Sequence, residues 1–146
     1  MLRQTWRDGQ FWAAIAAAPF FWLILLWWNS PVVLDMAWPF HAPLVFLLMV
    51  LVYPVVEELV FRGALQGILL QQPWGSSSLG PVTMANLITS LAFAGFHFFY
   101  HAPLWAALVL LPALIFGYFR DKYQRVLPAI ILHVLYNTGY FWLFPP

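Results

Sequence analysis

The chain has 146 residues, which suggests one domain. It is 64% hydrophobic and only 8% charged, where a soluble domain carries about 25% charged residues. That excludes a soluble surface. A net charge of +1 gives no electrostatic case for nucleic acid, and the absence of cysteine removes disulfides and thiolate chemistry. An integral protein of the lipid bilayer remains.

The fold class expected is all-α, a polytopic membrane helical bundle with about five transmembrane helices, each of ~20 apolar residues. Arg3 and Arg7 precede an apolar run over residues 11–28. The pattern resembles a signal peptide. The run is long for one, and Ala16-Ala17-Ala18 lies in its middle, so it reads as an uncleaved first span. Asn29-Ser30-Pro31 ends it, and a loop through Asp35, Trp38-Pro39 and Pro43 follows. The second span covers residues 44–70, and residues 71–78 are a polar turn. The third covers residues 82–100, with a break at His101-Ala102-Pro103. The fourth covers residues 104–119, residues 120–125 form a charge-dense loop, and the fifth covers residues 127–144. Lys and Arg in short loops mark the inner side. Arg3, Arg7 and the 120–125 loop then all fall inside, with the C-terminus outside. Trp27, Trp28 and Trp38 would form an outer aromatic belt, and Trp6, Trp12 and Trp74 an inner one.

The second span holds Pro54-Val55-Val56-Glu57-Glu58-Leu59-Val60-Phe61-Arg62-Gly63. An ionisable residue at the centre of a membrane helix costs roughly 2.5–3.5 kcal/mol on the insertion scale. Three of them so close together point to a functional site facing other helices. Glu58 and Arg62 are four apart and share a helix face, as a bracing ion pair would. Glu57 points about 100° away from Glu58. No basic residue lies three or four positions from it, which suits it to act as a general base. The alternative is a protonated glutamate hydrogen-bonded between helices. His97, in the third span, is either a satisfied core histidine or a second participant. His41 and His101 read as interfacial. His133 and Asn137 in the fifth span also share a face. Two convergent donors suit a developing oxyanion, and equally suit a polar clamp between helices. A base, one or two imidazoles and an amide are the components of a hydrolytic site.

Glu-Glu-x-x-x-Arg, Phe-x-x-x-His and His-x-x-x-Asn follow one another on successive apolar spans, from residue 57 to residue 137. In this the chain resembles the CAAX protease and bacteriocin-processing (Abi) family of intramembrane proteases. The resemblance implies a helical bundle enclosing a polar cavity. It implies cleavage of a protein or peptide substrate near its C-terminus or near a membrane segment. It also implies roles: Glu57 activates water, His97 helps hold that water, Glu58 pairs with Arg62, and His133 with Asn137 stabilises the oxyanion. Such a mechanism needs no cofactor. The family has also been read as zinc-dependent, and Glu57, His97 and His133 would then be the ligands. They lie on three separate helices, so no local pair such as His-x-x-x-His pre-forms a metal site. The chain is short beside the prenyl-protein members. It is more similar in size to bacterial proteases that process C-terminal sorting tags, including those paired with JDVT-type tails, which implies a bacterial inner membrane. A non-enzymatic scaffold, immunity protein or carrier is the rival reading. A carrier often shows repeated halves, and none is visible here. Counted from the inner loops at ~1.5 Å per residue, Glu57 and His97 lie at ~20 Å and His133 at ~10 Å. Tilt, or a fifth helix that starts deeper, would reconcile the depths.

Overall fold

In the computed structural model, residues 5–28, 35–100 and 102–146 are described. Arg3, the Asn29-Ser30-Pro31 stop and His101 lie outside the described residues. The described chain is helical except for one minimal hairpin, so the all-α class holds. Three helices are long and apolar enough to cross a membrane: Gly9–Trp28, Pro43–Leu70 and Pro103–Tyr123. They fall on the first, second and fourth expected spans. The third and fifth are helices of 14 and 17 residues, about 21 and 26 Å long at ~1.5 Å per residue.

The chain divides into two compact units, Met1–Val56 with Ile131–Pro146, and Glu57–Ile130. In the first, α1 is Gly9–Trp28 and α2 is the short Trp38–His41. Asp8 caps α1, its carboxylate accepting from the Gln10 N–H at 2.9 Å. α3 is the long helix Pro43–Leu70, which continues into the second unit. The last helix, α7 (Leu127–Leu143), contributes its later turns to the first unit. Ring N–H and O–H groups fasten these helices through backbone carbonyls. Tyr136 Oη donates to Ala14 O at 2.9 Å, Trp22 Nε1 to Tyr136 O at 3.1 Å, and Trp38 Nε1 to Phe141 O at 2.7 Å. Gly139 lets the Trp22 ring lie directly on α7, where a Cβ would overlap it. Trp38 is therefore buried at 7% exposure and does not join the outer belt expected of it. Its indole finds a carbonyl instead of the interface.

In the second unit, the polar turn after α3 contains β1 (Ser78–Leu79) and β2 (Val82–Thr83), paired antiparallel around Gly80 at φ 61°. α4 is Met84–His97, capped by Thr83, whose Oγ1 accepts from the Asn86 N–H at 3.0 Å. α5 (Pro103–Leu108) and α6 (Leu110–Tyr123) follow. Residues 120–123, expected in a loop, are the last turn of α6. Arg120 and Lys122 there suit the negative end of the helix dipole. The helix stops at Gln124, which takes the left-handed conformation at φ 54°.

α3 is not a uniform α-helix. Leu48–Val52 and Leu59–Leu65 are wide, π-helical turns on either side of Tyr53–Glu58. The N–H of Tyr53 reaches back five residues to Leu48 O, and that of Gln66 to Phe61 O. Pro54 gives the first turn a cause: it has no N–H, and its ring would clash with the carbonyl four residues earlier in a regular helix. Each wide turn leaves one carbonyl without the partner a regular helix would give it. For the first turn this is Met49 O, which accepts from Asn137 Nδ2 at 3.1 Å. For the second it is Arg62 O, which accepts from Arg120 Nε at 3.1 Å.

Candidate active site

Glu57, Glu58, Arg62 and His97 belong to the Glu57–Ile130 unit, and His133 and Asn137 to the other. Glu58 and Arg62 are fully buried, with Arg62 Nη1 3.3 Å from Glu58 Oε1. The pairing expected from their spacing is present. Arg62 Nη2 also donates to Ala113 O at 3.0 Å. Its guanidinium carbon lies 4.5 Å from the centre of the Phe93 ring, a cation–π contact in desolvated surroundings. Buried charge in an apolar span is tolerable only when held on several sides, and Arg62 is held by a carboxylate, a carbonyl and a ring. Glu57, one residue earlier, is half-buried. The two adjacent glutamates thus have different surroundings.

Phe93 links the first motif to the second. Its ring is 4.7 Å from the His97 ring and 5.1 Å, edge to face, from Phe61. The spacing of Phe93 and His97 stacks both rings on one face of α4, and Phe93 carries Arg62 on its other contact. His97 is the last residue of α4, and its Nδ1 lies 2.9 Å from Phe93 O. A carbonyl oxygen can only accept, so Nδ1 carries the proton. In the neutral ring Nε2 is then the acceptor. An imidazole in that tautomer can orient a water or bind a metal.

Below Arg62 the same face of α3 continues with Gln66, fully buried. Its Nε2 lies 3.1 Å from Gly117 O and 2.7 Å from Asp121 Oδ1. Asp121 Oδ2 accepts from Thr83 Oγ1 at 2.6 Å. Asn86 Nδ2 donates to Leu114 O at 3.0 Å, and its Oδ1 accepts from Ser90 Oγ at 2.9 Å. Gly117 makes room for Asn86, since a Cβ there would overlap the amide. A polar seam therefore runs from Glu58 through Arg62 and Gln66 to Asp121. The sequence reading missed Gln66, Asn86, Thr83 and Asp121 as members of it. The signal available was the four-residue spacing of Glu58, Arg62 and Gln66.

In the other unit His133 is buried at 5% exposure and Asn137 is half-buried. Asn137 spends one amide hydrogen on Met49 O, which leaves its second N–H and its Oδ1 for other use. Within neither unit do three or more described His, Asp or Glu side chains gather as a group that could hold a metal ion.

The sequence matches the family described as type II CAAX prenyl endopeptidase Rce1-like over residues 38–139. No curated protein and no solved structure matches it. The match covers well over half of the chain and spans every motif above. The chain belongs to the Rce1-like type II CAAX prenyl endopeptidase family, and it is a membrane-embedded peptide hydrolase.

Proposed function

We propose that the protein is a glutamate-type intramembrane endopeptidase that cleaves a protein substrate near its C-terminus or near a membrane segment. In this reading Glu57 takes a proton from water, and His97 holds that water through Nε2. The water adds to the scissile carbonyl, and His133 and Asn137 donate to the oxyanion that forms. The observation that supports it most is the division of labour between adjacent carboxylates. Glu58 is sealed against Arg62 at zero exposure, while Glu57 is half-buried. A base must meet water, and a brace must not. The tautomer fixed by the bond between His97 and Phe93 O suits the water-holding role.

The zinc reading draws on the same side chains. Zinc takes neutral imidazole nitrogens and carboxylate oxygens, and Glu57, His97 and His133 would be its ligands. We favour the metal-free reaction, with a protein substrate in a bacterial inner membrane and C-terminal sorting tails as its class.

The test is a mass-spectrometric census of protein C-termini in cells with and without the protein, repeated in purified membranes treated with a strong zinc chelator. Cleavage that persists after chelation is the expected result. Loss of cleavage that returns on adding zinc would replace the metal-free reaction with the zinc one. In the same assay Asn137→Ala should lower the rate by about 100- to 1,000-fold, the usual effect of losing one oxyanion donor. A rate within a few-fold of wild type would remove Asn137 from the chemistry and leave it as the partner of Met49.

A further inference from the structure

We propose that Arg120 is a positioning residue for the reaction: it holds the wide turn Leu59–Leu65 in place and so fixes the direction in which Glu57 and Glu58 leave α3. The Gln66 N–H goes to Phe61 O, so Arg62 O loses the partner it would have in a regular helix. A carbonyl in an apolar span must find another donor. Arg120 Nε supplies it at 3.1 Å. The side chain doing so is only 13% exposed, and its Nη1 lies 3.7 Å from Asp121 Oδ1. Its Nη2 lies over Gly67, where an added Cβ would be 3.4 Å away. Asp121 is itself held by Gln66 and Thr83. The guanidinium is therefore fixed between α3 and the seam before it reaches the carbonyl.

The wide turn matters because it lies between the glutamates and Gln66. Tightening it to a regular helix would shift the preceding segment by one residue, which is ~100° of rotation. The glutamates, which precede the turn, would rotate relative to Gln66 and the residues after it, and Glu57 would point elsewhere. A displacement of about 1 Å at reacting groups costs up to ~100-fold in rate.

Three substitutions separate this role from that of a basic residue marking the inner membrane face. Arg120→Gln places an amide nitrogen at the same position along the side chain as Nε and removes the charge. Arg120→Lys keeps the charge and puts a carbon there. Arg120→Met has neither donor nor charge. The substrate-independent probe is a hydrophobic carbodiimide, which couples to carboxyls in apolar surroundings, read as the ratio of labelled Glu57 to labelled Glu58. The second readout is the C-terminal census. Arg120→Gln should keep the wild-type labelling ratio and most of the cleavage. Arg120→Lys and Arg120→Met should change the ratio and lower cleavage by about 10- to 100-fold. Any pattern in which Arg120→Gln does no better than Arg120→Met overturns the proposal, whether both are impaired or both are normal. So does full activity in Arg120→Lys with none in Arg120→Gln. The effect on cleavage rests on Glu57 being the base. If Glu57→Gln still cleaves, that reading fails, while the labelling ratio still decides the role of Arg120.

Discussion

In the Glu57–Ile130 unit, the helices are fastened by a guanidinium braced by a carboxylate and by two amides: Arg62 with Glu58, Gln66 and Asn86. In the other unit the fasteners are mainly two indoles and a phenol, Trp22, Trp38 and Tyr136. The donors of both sets aim at backbone carbonyls. In lipid, apolar side chains gain nothing by leaving the membrane for a helix interface, so close packing and directed hydrogen bonds must hold helices together. The neutral set does this with large rings that also fill space. The set that contains charge does it at greater risk, because Arg62 and Glu58 are each costly when the other is lost. The charged seam lies in the unit that carries Glu57 and His97. The helix that carries Glu57 is thus braced by a buried ion pair, while the other unit is held by neutral ring donors.

The sharpest way to break this comparison is Arg62→Met. It removes the partner of a fully buried carboxylate, and the expected cost is about 3–5 kcal/mol, less if Glu58 takes up a proton. Thermal unfolding in detergent reads it. The double variant Glu58→Gln with Arg62→Met should recover part of the loss, since removing both charges leaves neither stranded. Next in size is Gly117→Ala, whose methyl would overlap Asn86. Overpacking of this kind costs about 1–3 kcal/mol. A neutral result would mean that Asn86 can leave its bonds to Leu114 and Ser90 at no cost. The smallest effect is expected of Tyr136→Phe, which deletes one hydrogen bond to Ala14 O. Such bonds average about 0.6 kcal/mol in a membrane protein and reach about 1.7. If Tyr136→Phe cost as much as Arg62→Met, the two units would not differ in the way described.

Much of this was legible in the sequence. The scarcity of charge gave the membrane class, and the spacing of Glu58 and Arg62 gave their ion pair. The three ordered motifs gave the family that residues 38–139 match. The seam was less legible because its acceptors are backbone carbonyls such as Ala113 O and Gly117 O, which no residue type announces. Asp121 was hidden in a stretch of charges that read as a loop, yet it is the last turn of α6 and accepts from Gln66 and Thr83. The wide turns were invisible to a reading based on 3.6 residues per turn, although Pro54 was a signal for the first. Trp38 was misplaced at the membrane surface because composition alone does not distinguish an indole that meets headgroups from one that meets Phe141 O.

Two adjacent glutamates are proposed to do different work, and the most direct measurement compares Glu57→Gln with Glu58→Gln. Both variants are purified, their melting temperatures recorded, and cleaved C-termini counted in membranes carrying each. Glu57→Gln should melt close to wild type and yield no cleaved product. Glu58→Gln should melt lower, because Arg62 loses its charged partner, and retain some cleavage in the folded fraction. Wild-type cleavage by Glu57→Gln would contradict this division of work, as would Glu58→Gln that is fully stable and inactive.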